Sequence, residues 1–247
     1  MEITKIIIII LRGESIIAKT IFLDPGHGGA DPGAVNGRRY EKTDNLRIAG
    51  AVREKLKARG HTVLMTREED EYNPSLSARI AVANSARADL FLSLHRNSFN
   101  TKEANGIEIW VRYPAHAAAA AILLEELAKC PNQSNRGVKT GDYLVLYNAA
   151  MPAMLLELGF ISNELDNELF DNHLDIYAES IARGILLALG EEYQRERSPA
   201  KTALACADRR VREQRKRRGF SGSCKRHGAQ RVYSHSKGLG SVSTRGT

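Results

Sequence analysis

His27, His95 and Glu157 are the residues of this chain whose types and placement could do chemistry. His27 lies in Asp24-Pro25-Gly26-His27-Gly28-Gly29, His95 in Ser93-Leu94-His95-Arg96-Asn97, and Glu157 in Leu155-Leu156-Glu157-Leu158-Gly159. Each stands at the carboxyl end of a short apolar, β-prone run. In open parallel α/β sheets ligands bind beyond the carboxyl ends of the strands. If the three runs are parallel strands, the three groups converge at one edge. Two imidazoles and carboxylates there suit a catalytic zinc, which commonly takes three nitrogen or oxygen ligands and keeps one position for water. Such an ion brings the pKa of water down to about 7. A carboxylate outside the ligand set can then accept the proton and return it to a leaving group. Glu41 opens the first helix after the loop 28–40, near the same edge, and is free to be the carboxylate ligand. Glu157 is flanked by Met154-Leu155-Leu156 and Leu158-Gly159-Phe160, where a charge is costly unless paired. Carboxylates in such settings have raised pKa values, which suits a general base.

Spacing alone leaves two blander readings open. A strand-end histidine is commonly a hydrogen-bonded structural residue. The glycine-rich 25–29 turn could bind phosphate ahead of a helix, although it lacks the Gly-Lys-Ser/Thr ending of a P-loop and the GxGxxG spacing. The glycines around His27 let the backbone turn sharply and approach a ligand closely.

These residues need strands and helices to hold them. Strands are predicted over 19–24 (KTIFLD), 61–66 (HTVLMT), 89–94 (DLFLSL), 106–111 (GIEIWV), 142–146 and 152–157. Helices are predicted over 44–59, stopped at Gly60, then 75–87, 115–129 and 174–189, the last stopped at Gly190. Alternating strands and helices imply an α/β fold, a single domain with a twisted, mostly parallel (mixed) sheet flanked by helices on both faces. No internal repeat is present.

Charge divides the chain. From Arg195 onward there are fifteen Lys/Arg against three Asp/Glu, which leaves twenty-one basic and twenty-six acidic residues before it. The net charge of +7 therefore belongs to the C-terminal segment and not to the body. Apolar periodicity also stops after Gln194, where Arg, Ser and Gly dominate, so this segment is expected to be disordered. The expected organisation is a leader or extra strand over 1–18, a catalytic domain over 19–193 and a basic low-complexity tail over 194–247. The three cysteines are too few and scattered for a disulfide framework. Cys206, Cys224, His227 and His235 lack the close CxxC spacing of a second zinc site. The apolar run 6–11 is shorter than a signal-peptide core of roughly 7–15 residues and is followed by Arg12 and Glu14. It is also far below the roughly 20 residues of a membrane span.

The residues picked out above occur in order within a longer series of motifs. These are IFLDPGHGGADPGA at 21–34, Glu41 at a helix head, TREED at 66–70, LSARIAVANSARADLFLSLHRNS at 76–98, NRGVK at 135–139 and MPAMLLELGFISN at 151–163. In them the chain resembles the zinc-dependent N-acetylmuramoyl-L-alanine amidase family, over roughly residues 20–190. The resemblance implies one zinc per chain on His27, Glu41 and His95, with Glu157 as the catalytic glutamate. It also implies Asn97 as a substrate-binding residue. The implied reaction is hydrolysis of the amide joining the lactyl group of N-acetylmuramic acid to L-alanine of the peptidoglycan stem peptide. Arg96 departs from the small residue expected after this histidine, which puts substrate contacts beside it in question.

The implied partner is peptidoglycan, acted on by a monomer with no membrane span and no specific nucleic-acid partner. Stacking aromatics are scarce in the tail, with Phe220 and Tyr233 only. The tail is read either as an arm for anionic wall polymers or as a solvated extension. Without a convincing signal, the expectation is a phage lysin or autolysin made in the cytoplasm and released to the wall; the alternative is export through a degenerate N-terminal signal. The rival readings are a zinc peptidase of the wall and a binding module that has lost catalysis.

Overall fold

The computed structural model describes residues 17–191. The leader region, the 6–11 run, and the tail with its cysteines and histidines lie outside the described residues. Six strands form one sheet: β1 (Thr20–Pro25), β4 (Thr62–Met65), β5 (Leu90–Asn97), β6 (Ile107–Val111), β7 (Asn135–Thr140) and β8 (Ala153–Phe160), in the order β4-β1-β5-β8-β6-β7. β1 runs parallel to β4 and β5, and β5 runs parallel to β8. β6 is antiparallel to β8 and parallel to β7. The three strands expected to carry chemistry are thus adjacent and parallel at the middle of the sheet. β8 is buried along its whole length, as its apolar sequence requires at the sheet centre.

Helices cover both faces. α1 (Glu41–Lys57) buries Ile48, Ala49, Val52 and Leu56, a three-and-four spacing that makes one apolar stripe. Acidic Glu41 and Asp44 open it and Lys55 and Lys57 close it, matching the helix dipole at both ends. α4 (Glu164–Ala188) packs beside it and α3 (Ala117–Leu127) beside α4, and all three share one core with Ile21, Leu23, Leu92, Leu94, Ile109 and Leu156 of the sheet. On the opposite face α2 (Leu76–Ser85) sets Ile80 and Ala83 on Phe22, Phe91, Ala153 and Leu155. Ser75 caps α2 by accepting the Ala78 N–H, and Asn163 caps α4 by accepting that of Asp166. Among the described residues no helix is long and apolar enough to cross a membrane.

Four expectations are corrected. The 142–146 segment is a single 3-10 turn (Leu144–Leu146), not a strand. Both flanks of β8 are already taken by β5 and β6, so Val145 and Leu146 pack on the face of the sheet instead. β7 was not expected: Asn135–Thr140 contains Val138 as its one large aliphatic residue, so it carries no period-two signal, and it pairs only with β6 at the sheet edge. The last helix begins at Glu164, ten residues before its expected start, because a kink at His173 (φ −124°, ψ 21°) separates its polar first half from the apolar second. Within the expected loop 28–40, Val35–Asn36 (β2) and Arg39–Tyr40 (β3) form a small antiparallel hairpin.

Candidate active site

The carboxyl ends of β1, β5 and β8 meet the amino end of α1, and this meeting brings His27, Glu41, His95 and Glu157 together. The register sets His95 of β5 directly against Glu157 of β8. Glu41 sits on the first turn of α1, where the N–H groups and the dipole favour a carboxylate. Its Oε2 accepts the Ala34 N–H at 2.8 Å and lies 3.1 Å from His27 Nε2. Its Oε1 accepts the Arg96 N–H at 3.1 Å and the Asn45 Nδ2–H at 3.3 Å, and lies 2.9 Å from His95 Nδ1. The two imidazole rings stand edge to face, 4.9 Å apart. One ligand atom from each of His27, Glu41 and His95 lies within 4.8 Å of the other two, so the three could hold a single metal ion.

Two observations fit that use. His27 Nδ1 is taken by Asp31 Oδ2 at 2.8 Å, which leaves Nε2 towards Glu41. Metal-ligating histidines almost always make such a hydrogen bond from the other ring nitrogen to an orienting group. The second is the space kept by glycine. A Cβ on Gly26 would lie 2.2 Å from the His95 ring, and one on Gly33 would lie 2.6 Å from both His27 Cδ2 and Glu41 Oε2. The ligand set therefore closes against bare backbone. His27 itself has a left-handed conformation (φ 61°), a strain that functional sites commonly hold.

Electrostatics sorts the groups. Burial opposes the ionised form of Glu41, but the hydrogen bonds and charges of His27 and His95 overcome it and hold this carboxyl far below its usual range. Burial likewise opposes a charged His27, yet Glu41 and Asp31 raise it to about 9. Glu157 behaves oppositely: burial pushes it up to about 7, and the charges of Glu41 and Glu108 add to that while His95 offsets part. Glu157 Oε2 is buried with no hydrogen-bond partner among the described residues. An unpaired carboxylate oxygen in such a place is costly unless a proton or a ligand meets it.

The loop carrying His27 is anchored from below. Arg67 donates to the carbonyls of Pro25 and Gly26 at 3.0 Å each and to that of Lys42 at 2.6 Å. Arg79 bonds Asp24 Oδ1 at 2.7 Å and the His27 carbonyl at 3.1 Å. Sequence reasoning did not assign roles to Asp31, Arg67, Arg79 or Glu108. The arginines lie inside the TREED and LSAR motifs, which was the available signal. Asn97 is held, its Nδ2 donating to Glu108 Oε1 at 3.1 Å and its Oδ1 accepting the Ser98 N–H. Arg96 points to the helical face, bonded to Asp44 and Asn167 with Phe170 beneath it, and so does not intrude beside His95. His116 accepts the Ala153 N–H and His61 that of Lys19, so both serve backbone hydrogen bonding away from the site.

A cleft of about 420 Å³ opens over His27 and His95, walled by Asn73, Pro74, Ser75 and Leu76. His27 and His95 open onto this cleft at the strand ends, and behind them Glu41 and Glu157 have opposed pKa shifts, an arrangement suited to an acid–base hydrolase. A family profile described as N-acetylmuramoyl-L-alanine amidase matches residues 21–189, and the chain belongs to that family. It is 39% identical over 155 residues to N-acetylmuramoyl-L-alanine amidase LytC of Bacillus subtilis, covering 61% of this chain and 31% of LytC. It is 37% identical over 172 residues to the probable cell wall amidase LytH of Staphylococcus aureus, covering 68% of this chain and 57% of LytH. The chain thus spans less than two thirds of the length of these curated relatives. The solved catalytic domain of CwlV, an N-acetylmuramoyl-L-alanine amidase from Bacillus (Paenibacillus) polymyxa var. colistinus, superposes with a TM-score of 0.67 at 34% identity. That alignment covers 70% of this chain and 99% of the CwlV domain.

Proposed function

We propose that this protein is a zinc-dependent amidase of the cell wall. It hydrolyses the amide between the lactyl group of N-acetylmuramic acid and L-alanine of the peptidoglycan stem peptide. The observation that carries the reading is the buried, unpartnered Glu157 oxygen beside a His27–Glu41–His95 group whose ligand atoms fall within 4.8 Å. His27, Glu41 and His95 would hold the zinc, which would supply Lewis-acid polarisation of the amide carbonyl and acidify a water for attack at neutral pH.

The chain's own residues do the rest. Glu41 stays ionised and completes a ligand set of two neutral imidazoles and one carboxylate. Asp31 fixes the orientation of the His27 ring through Nδ1. Glu157 accepts the proton of the attacking water and gives it to the departing L-alanine nitrogen, a double duty suited to a carboxyl poised at about 7. Asn97, whose Nδ2 donates to Glu108 Oε1, contributes to substrate binding.

The test is metal analysis joined to product analysis. The purified protein is expected to hold about one zinc per chain. His27→Ala and His95→Ala lose it, whereas Glu157→Ala keeps it and loses hydrolysis by at least about a hundredfold. Released stems begin with L-alanine. New termini elsewhere would instead identify a peptidase, and undiminished hydrolysis by Glu157→Ala would remove that residue from the mechanism.

A further inference from the structure

Beyond Glu157 the sheet continues into a charged patch that the reaction above does not use. Glu108 of β6 lies directly opposite Glu157 in an antiparallel pair, so the two carboxylates share one face of the sheet. Their surroundings differ sharply. Glu108 is buried and accepts four hydrogen bonds: from Asn97 Nδ2 and Trp110 Nε1 on one oxygen, and from Arg136 Nε (2.7 Å) and Lys139 Nζ (2.6 Å) on the other. Two cations against one buried carboxylate leave a net positive charge. Arg136 and Lys139 keep about a third of their side-chain surface open, at 37% and 33%. Each is also propped from beneath by an aromatic ring, Phe160 under the guanidinium at 4.9 Å and Trp110 beside the ammonium at 5.1 Å. The guanidinium spends Nε on Glu108 and one Nη1–H on the Asn105 carbonyl, so its Nη2 face retains donors for a ligand.

The direction of the substrate follows from the proton's path. The group that returns a proton to the leaving amine must stand next to that amine. Glu157 lies on the β8 side of the metal-holding group, so the departing peptide extends from β8 towards β6 and β7, and the muramoyl side lies over β1 and α2. Two strand spacings, roughly 10 Å, separate β8 from β7. A peptide advances about 3.5 Å per residue, and the side chains of Arg136 and Lys139 reach back towards Glu108. Their charge therefore meets the peptide at its second residue.

We infer that Arg136 and Lys139, held by Glu108, form a subsite for a free carboxylate on the second residue of the leaving peptide. Glu108 is the positioning residue: it aligns both cations while taking no part in bond breaking. The inference rests on the amidase reading. It adds that the enzyme discriminates between stems carrying a carboxylate at that residue and stems carrying the neutral carboxamide.

The test uses the full zinc-loaded chain and two synthetic muramoyl peptides that differ only in carboxylate or carboxamide at the second residue. Wild type is expected to favour the carboxylate in kcat/KM by at least about tenfold, the scale of one charge-assisted hydrogen bond. In R136Q and K139Q the ratio of the two kcat/KM values falls towards one, mostly through KM, and K139R restores part of it. Because each variant is scored by a ratio between two substrates, a loss of folded protein cancels. A wild-type ratio near one, or a ratio unchanged in both variants, overturns the subsite. Failure of wild type to cleave either substrate overturns the amidase reading instead.

Discussion

Glu41 is the residue on which the metal-holding group turns, because both of its oxygens are committed. Arg96 and Asn45 hold one, Ala34 holds the other, and an imidazole faces each. The carboxylate is therefore aimed before any ion arrives. Without the ion, that same negative charge recruits protons to the imidazoles and raises His27 to about 9. Burial opposes this on His95 as well, but Glu41 and Glu157 prevail and its pKa also rises. Metal ligands must be deprotonated, so zinc competes with these protons. The sign is definite: His27 binds its proton more tightly folded than unfolded. Its pairing stabilises the metal-free fold fully below pH of about 6.5 and is lost as pH rises through about 9. Zinc affinity should then climb at least about tenfold per pH unit between pH 6 and 8, with proton release measurable by calorimetry in buffers of different ionisation heat. A flat affinity across that range would show that the imidazoles are already neutral. For Asp31→Asn the slope should lessen, because one of the two charges that hold His27 up is gone.

At the scale of elements, the packing of helices on the sheet decides where glycine is required and where it is merely tolerated. Gly184 of α4 faces α3 so closely that a Cβ would sit 2.6 Å from Leu123 Cδ1 and 2.8 Å from Leu123 Cα. Gly50 of α1 has nothing within 4 Å of such a Cβ. Helix propensity favours alanine over glycine by about 1 kcal/mol at either place. Gly50→Ala should therefore gain roughly that amount, while Gly184→Ala should lose about 1–3 kcal/mol from overpacking against backbone that cannot swing aside. Chemical denaturation of the metal-loaded protein gives both values; gains of equal size would mean that the α3–α4 contact is looser than described. The same packing explains what could be read in the sequence. β1, β5 and β8 are buried on both faces, so their apolar runs and the polar residues that end them stood out, and with them His27, His95 and Glu157. Asp44 and Arg96 pair across α1 and β5, fifty-two residues apart in the chain, and no local pattern discloses such a contact. β7 was hidden because an edge strand that buries little carries little hydrophobic period, so the NRGVK motif gave Arg136 and Lys139 no place in the sheet. The antiparallel turn of β6, which sets Glu108 beside Glu157, depends on pairing and not on composition.

The whole molecule divides its charge unevenly along the chain. Before Arg195 the chain has twenty-one basic and twenty-six acidic residues, and from Arg195 onward fifteen basic and three acidic. Against a wall that carries anionic polymers, the mildly acidic body would gain no attraction, whereas a +12 segment would gain it from every phosphate or carboxylate within reach. That attraction is short-ranged, because at physiological ionic strength charges farther apart than about 8 Å are largely screened. It should consequently act on bound polymer and respond steeply to salt. The full chain is expected to sediment with walls that carry anionic polymers at low salt and to leave them as salt rises. A chain ended at Gln194 should sediment less at every salt concentration, and walls stripped of their anionic polymers should erase the difference. Turnover of a small soluble muramoyl peptide should stay within about twofold on removing the segment, since steering by a distant charge matters little for a ligand with few charges. If both chains show one salt profile on the same walls, wall contact belongs to the catalytic domain, and the positive charge of Arg136 and Lys139 becomes the first place to look for it.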